Sequence, residues 1–424
     1  VTRGDQHPRD HKYNNIMKKK HIVMVLGQSF PPDIRVEKEL SSLIAHNYSV
    51  SVLCTDSNAL LTVDAFKNAA IYRYIPNHFL HKLHSKLQML FNFIHPYFLA
   101  GLNRLYKEHP FDAIHVHDLP LANTAIYFKT RSHPSVKVVL DLHENYPEAI
   151  QVWSAWNKGL KSTIKKYFFN NYKRWINYEK LMIQQSDHTI AVVKEMKDRM
   201  VDTHGVSDSD ISVVSNTEPL TFKSIPIAAD IVQQYKDDFI ISYIGGFGPH
   251  RGIDTAILGM QHLKKYAHIK LLLVGKGSPE VEGMLRLLIN KHSLSDQVIM
   301  MGWQPFDKVA SFIEASDICL IPHHDNPHTS NTIPHKLFQY MSKGKPTLVS
   351  TCAPLKRIIE ETNSGMVFEA GNPTDFAERV RYMHDHPSLL SDAGKCGQDA
   401  TASGAYSWEN DAQELCKIYH NLIG

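Results

Sequence analysis

A chain of 424 residues is long enough for two domains, each with a sizeable core. A formal charge of +3, with 26 histidines outside that count, argues against a dedicated nucleic-acid binder. No apolar run is long enough to span a bilayer and no signal-peptide pattern is read, so the expected location is cytoplasmic, or peripheral on the inner face of the cytoplasmic membrane.

Residues 1–17 are polar and without periodicity, and are read as a disordered arm or extension, with Met17 a candidate start. From residue 18 the pattern alternates strand, loop and helix. The run His21–Leu26 ends at Gly27 and is followed by the loop Gln28–Asp33, a helix over Arg35–Ala45 and a strand over Ser49–Cys54. Further strands are predicted at Ala113–His117, Val136–His143, Thr189–Val193 and Ile211–Ser215. Strands spaced by helical patterns imply parallel βαβ units. In such sheets ligands bind beyond the carboxyl ends of the strands, which singles out Gln28, Arg35, His117, Asp118, His143 and Glu144.

Two basic, ring-rich stretches stand apart from this pattern. Phe79–Ile94 is apolar with scattered basic and His residues, and Trp153–Lys180 interleaves seven Lys/Arg with eight Trp, Tyr and Phe. That composition suits an anionic membrane surface. It equally suits aromatics in a core beneath a solvated basic face. The segment Thr217–Asp238 is polar and is read as the linker.

The second half repeats the theme. The strand Phe239–Ile244 runs into Gly245-Gly246-Phe-Gly-Pro-His-Arg251-Gly252, Ile269–Val274 into Gly275-Lys-Gly277, and Val298–Met301 into Gly302-Trp303. Glycines after successive strands let a backbone approach a bulky polar ligand. The stretch Ser330–Pro346 then reads as a loop and a helix, closed by Gly344 and Pro346. Pro334 stands near the helix start, where a missing N–H costs nothing, and Lys336 adds a cation to a helix end already suited to anions. Thr347–Ser350 reads as a buried strand, and Tyr406-Ser-Trp408 introduces a last helix. The five cysteines, Cys54, Cys319, Cys352, Cys396 and Cys416, contain no CxxC pair and read as small core residues in a reducing compartment.

The segment Ser330–Pro346 resembles the donor-binding signature of the retaining glycosyltransferases of family 4, in the branch with Pro-x-Lys-Leu-Phe-x-Tyr-Met followed by Gly-Lys-Pro. The resemblance extends from about Lys18 onward. It implies the α/β GT-B fold, in which two Rossmann-like, doubly wound parallel-sheet domains face a cleft. The corresponding domains would be 18–220 on the acceptor side and 221–405 for the nucleotide sugar, with a helix over 406–424 crossing back to the first.

The family's two signature Glu positions fall on Asn331 and Gln339, with seven residues between them. An amide can hydrogen-bond a hydroxyl but carries no charge, so a binding role is carried over and a carboxylate role is not. A carboxylate restored at position 339 is expected to be tolerated. By the same resemblance Gly246 replaces a phosphate-facing Arg while Arg251 replaces a Lys. The donor side would comprise Gly246, Arg251, Gly275, Gly302, Trp303, Asn331, Pro334, His335, Lys336 and Gln339. His143 would act catalytically, by hydrogen-bonding the sugar or helping remove the acceptor proton.

The implied activity is retaining transfer of a hexosyl or N-acetylhexosaminyl group from a nucleotide sugar, with UDP expected. The acceptor would be a saccharide or lipid-linked molecule in surface polysaccharide or glycolipid synthesis. By the same resemblance no metal or other cofactor is expected. The partners are the nucleotide-sugar donor, the acceptor and an anionic membrane surface at residues 153–180. A UDP-sugar 2-epimerase of the same fold and a catalytically silent nucleotide-sugar-binding subunit are the rival readings.

Overall fold

Short aliphatic runs become parallel strands where helices cover both faces of a sheet, and the burial of these runs shows that arrangement. His21–Val25, Ala113–His117, Ile318–Ile321 and Thr347–Ser350 are buried at every position. The structure, a computed structural model, describes residues 19–56, 62–76, 83, 88, 92–155, 171–402 and 404–424.

The first sheet contains β1 (His21–Val25), β2 (Ser49–Asp56), β3 (Thr62–Phe66), β4 (Ala69–Pro76), β5 (Ala113–His117), β6 (Lys137–Leu142), β7 (His188–Ala191) and β8 (Ile211–Val213). Its strand order is β3-β4-β2-β1-β5-β6-β7-β8. All pairs are parallel except the edge hairpin β3–β4, which the sequence reading did not include. Lys67 and Asn68 make its two-residue turn with φ of 47° and 66°, the sign that matches the twist of a hairpin.

The second sheet contains β9 (Phe239–Ile244), β10 (Ile269–Val274), β11 (Val298–Gly302), β12 (Ile318–Ile321), β13 (Thr347–Ser350) and β14 (Gly365–Phe368). It is parallel throughout, in the order β11-β10-β9-β12-β13-β14. The order reverses beside β1 in one sheet and beside β9 in the other. The loops after β1 and β5, and after β9 and β12, therefore open crevices at the carboxyl ends. These two crevices hold the residues discussed below.

Two expectations change. The Thr217–Asp238 linker is a packed segment: it forms a turn of 3-10 helix at Leu220–Ser224 and a helix at Ala229–Gln234, with Phe222 and Ile231 buried. In the basic aromatic stretch, Trp175 and Tyr178 face the core, and Tyr178 stacks on Phe93 at 3.7 Å between ring centroids. Those two rings are thus unavailable to a membrane surface. Trp153 and Tyr172 are exposed. Trp156, Lys158, Lys161, Lys165, Lys166 and Tyr167–Phe169 lie outside the described residues, as does most of Phe79–Ile94. Among the described residues no helix is long and apolar enough to cross a membrane.

The helix Trp408–Ile423 begins at Ser407, whose side chain accepts from Asn410 N–H, and packs against the helix Ile34–Ala45 of the first sheet. Trp408 is buried there, donates from Nε1 to Ser42 Oγ at 2.9 Å and lies beneath the Lys38 ammonium. Trp408→Ala would empty a large buried site and should cost about 3–5 kcal/mol of stability in urea unfolding. An unchanged midpoint would show that this docking contributes nothing.

Candidate functional site

The site is built around one buried cation. Arg35 lies in the first turn of the Ile34–Ala45 helix, whose N-cap Asp33 accepts from the backbone N–H groups of Arg35 and Val36. Its guanidinium donates to Asp141 twice, from Nε at 3.0 Å and Nη2 at 2.8 Å, and Nε lies 2.9 Å from Glu39. Nη1 donates to Val214 O, Ser215 O and Asn216 Oδ1 in the segment leaving the first sheet. Arg35 was expected to meet substrate. With these partners and 3% exposure it is instead a structural anchor, although it touches the cleft wall.

Asp141 passes this order on to a histidine. His143 Nε2 lies 2.7 Å from Asp141 Oδ2, and His117 Nδ1 lies 3.0 Å from the same nitrogen. Burial alone would lower the His143 pKa, but Asp141 and Asp118 outweigh it and raise it to about 9. His143 is therefore a cation and a hydrogen-bond donor at neutral pH. Burial and the adjacent His115 hold His117 well below its ordinary value, so it stays neutral. His117 was expected to face the acceptor; it is 6% exposed and chiefly backs His143. Asp118 Oδ1 accepts from the His143 N–H at 3.1 Å.

Glu39, His115, His117 and Asp141 present four metal-type ligand atoms within 4.8 Å of one another. Arg35 already pairs with both carboxylates, so the guanidinium supplies the charge a metal ion would bring. Tyr419 on the last helix closes the cluster from behind, its hydroxyl 2.7 Å from His115 Nδ1.

Two spaces meet at His143. One, about 860 Å³, lies in the first domain and is lined by Gln28, Asp33, His117, Asp118 and His143 on one side and by Leu26, Val36, Phe98, Leu121 and Tyr146 on the other. The second, about 1250 Å³, lies between the sheets and is lined by Asp33, Arg35, His143, Glu144 and Asn216 from the first half. From the second half it takes Gly245, Gly246, His250, Arg251, Phe306, His328, Pro334, His335, Lys336 and Gln339.

Lys336 is the unusual member. It stands in the first turn of the helix His335–Ser342, half-buried, with its Nζ sealed from solvent 3.7 Å from the Tyr243 ring and without a hydrogen-bond partner among the described residues. Burial, then Arg251, push its pKa well below the lysine range. Gly245 makes room for it: φ is +136°, and a Cβ there would come 2.7 Å from Nζ. Around Arg251, His250 is held down to about 3 and His328 to about 4, by burial first and then by the guanidinium. His323 Nε2 lies 3.2 Å from Arg251 Nη1. Across the cleft, burial raises Glu144 to about 7 against the pull of Arg251.

The expected donor residues thus divide. Gly246, Arg251, Pro334, His335, Lys336 and Gln339 line the cleft together. Gly275, Gly302 and Trp303 are not in its lining; Trp303 is 62% exposed, and Gly275 N–H donates to Gly302 O behind it. Asn331 is also outside, its amide donating to Pro327 O at 2.7 Å and holding its own loop. Gln339 donates from Nε2 to Glu218 Oε1 at 2.9 Å, so a glutamate at 339 would set a second carboxylate against the first. The tolerance expected for that change is corrected accordingly.

Sequence reasoning missed Glu39, His115, His250, His328 and Glu218. His250 stood within a marked glycine loop and His328 two residues before the marked stretch Ser330–Pro346; Glu218, in a polar segment, carried no signal.

Comparisons with known proteins agree with the two-domain fold. A family model described as Glycosyltransferase Family 4 matches residues 35–217, and one described as Glycosyl transferases group 1 matches 225–400. Sucrose-phosphate synthase from Thermosynechococcus elongatus superposes with a TM-score of 0.76 at 16% identity, over 95% of this chain and 99% of that one. HepE from Anabaena, in complex with UDP-glucose, gives 0.69 at 13% identity over 95% and 99%. The fold is GT-B. An uncharacterized glycosyltransferase of Methanocaldococcus jannaschii is 24% identical over 180 residues, 42% of this chain and 47% of that protein. The GT-B chain spans about half the length of the curated relatives it matches.

The protonation of His143 is open to direct measurement. Removing one of its two carboxylate partners by Asp118→Asn should move its midpoint down from about 9, read in proton–nitrogen spectra of histidine-labelled protein. An unmoved midpoint would remove Asp118 from the set that charges it.

Proposed function

We propose that the chain is a glycosyltransferase that moves a sugar from a nucleoside diphosphate, with UDP the first choice, to a hydroxyl held in the first-domain pocket. One observation carries the reading: Lys336 Nζ is buried in the interdomain cleft beside Arg251 with no anion to pair with. Desolvated cations without counter-charges are costly. A ligand diphosphate would supply that charge, and the N-terminus of the His335–Ser342 helix would add backbone donors.

The reaction then follows from placement. The sugar–phosphate bond breaks, and the charge growing on the leaving diphosphate is met by Arg251, Lys336 and the helix end, which are already in position. These groups do the work often given to a metal, and on this reading none is required. His143 opens onto both spaces, so it can donate to the sugar while the acceptor hydroxyl approaches from the Asp118 side. As a cation below about pH 9 it acts as donor rather than base. The acceptor proton would pass to the departing phosphate oxygen, with attack from the leaving-group face and retention at the anomeric carbon. The apolar wall of Phe98, Leu121 and Tyr146 suits an acceptor with an apolar portion, a saccharide joined to lipid among them.

Three measurements test this reading. Arg251→Ala should weaken UDP binding by about 1.5–3 kcal/mol in calorimetry, the scale of hydrogen bonds to charged groups. Nucleotide-sugar turnover should release UDP only when an acceptor is added; epimerised nucleotide sugar formed without one would establish the rival enzyme. Lys336→Met probes the unpaired charge from the other side. It should raise the melting temperature of the ligand-free protein, because a buried amino group without a hydrogen-bond partner is removed, and reduce the further rise produced by UDP. A ligand-free protein destabilised by the Met, with its UDP response intact, would place Lys336 in a structural role.

A further inference from the structure

Gln339 stands in the cleft wall three residues after Lys336, on the same face of the helix. It is 6% exposed, and its Nε2 donates to Glu218 Oε1 at 2.9 Å. Glu218 lies in the segment between β8 and β9, away from the cleft lining, and is buried. Lys38 Nζ lies 3.9 Å from its other oxygen and His335 Nδ1 lies 3.6 Å from Oε1. Lys38 comes from the helix Ile34–Ala45 and is itself tied to Thr217 O in the same segment. The carboxylate is thus held from two helices and paired with a cation.

An ionised carboxylate only accepts hydrogen bonds, while an amide has one donating and one accepting end. Facing Glu218, the Gln339 amide must turn its NH2 toward the carboxylate, which leaves Oε1 as the free end. Among the described residues no donor reaches that oxygen. We infer that Glu218 is a positioning residue for ligand specificity: it locks the Gln339 amide so that Oε1 accepts a hydrogen bond from a ribose hydroxyl of the nucleotide. The inference rests on the cleft being a nucleotide-sugar site. Placing the sugar end at His143 leaves the ribose, joined directly to the diphosphate, for the Gln339 side of Lys336.

Without Glu218 the amide can present either end, and a ribose hydroxyl, which both donates and accepts, would no longer be sought as a donor. The arrangement keeps an uncharged acceptor in the cleft while the carboxylate sits behind it. A carboxylate in the wall itself would reduce the net positive charge offered to the diphosphate.

The test is calorimetric titration with UDP, 2′-deoxy-UDP and 3′-deoxy-UDP. Wild type should prefer UDP over at least one deoxy analogue by about tenfold, the value of roughly one hydrogen bond. Glu218→Gln should keep UDP binding through Arg251 and Lys336 while the preference falls to about twofold or less. The exchange variant Glu218→Gln with Gln339→Glu returns an acceptor to the cleft and an amide behind it, and should restore the preference. Glu218→Gln with the wild-type preference intact, a wild type indifferent to both ribose hydroxyls, or an exchange variant that fails to restore the preference would each overturn the role of Glu218. Absence of UDP binding by wild type in the same titrations would overturn the reading of the cleft itself.

Discussion

The Arg35 guanidinium is the interaction on which the arrangement depends. It is buried, so each N–H must find an acceptor, and those acceptors come from distant parts of the chain: Asp141 on β6, Glu39 on its own helix, and Val214, Ser215 and Asn216 where the chain leaves the first sheet. Asn216 in turn donates to Ile333 O, just before the helix that carries Lys336. One side chain therefore ties the sheet that positions His143 to the segment leading into the second domain. Truncating it would leave the buried Glu39 without its guanidinium and Asp141 with His143 alone, which is why loss of one partner costs more than the pair contributes.

Charge is handled differently on the two sides of the cleft. On the first-domain side the network closes on itself: Arg35 against Asp141 and Glu39, with His143 charged by Asp141 and Asp118. Burial and its neighbour Asp141 raise the Glu39 carboxyl, while Arg35 and His143 hold Asp141 well below its ordinary range. A proton is thus shared out so that little net charge is buried. A preset network of this kind needs no reorganisation when a sugar arrives, which is the condition for fixed dipoles to act strongly.

The alternation of the sheets was legible because each strand is a short apolar run followed by glycine or a polar loop, and burial on both faces demands that composition. The Lys336 helix was legible because Pro334 and Gly344-Lys-Pro346 mark its ends. Arg35 was read as a ligand contact because it stands just beyond the carboxyl end of a strand, while the acid that claims it lies 106 residues away. Trp175 and Tyr178 were ambiguous for a related reason. A helix with rings on one face and lysines on the other has the same composition whether the rings meet a core or a membrane, and only Phe93 on a distant segment decides it. Glu218 was invisible because its function is relational: nothing local distinguishes it from the other acids of a polar segment until Gln339 is placed 2.9 Å away.

On the second-domain side the charge does not close. Arg251 and Lys336 face the cleft, and the histidines around them, His250, His323 and His328, are all driven toward neutrality instead of adding to the positive field. Across the gap Glu144 is raised to about 7 by burial, against the pull of Arg251, and so is partly protonated near neutral pH. Had the fold been selected for the stability of the empty protein, an ionised carboxylate beside Lys336 would be the simple remedy, and the amide at Gln339 withholds it. The missing negative charge is left for a ligand to bring. On the proposed function, a diphosphate arriving there would relieve the desolvated lysine and meet Arg251 at once, so binding energy would be concentrated next to the bond to be broken, opposite His143.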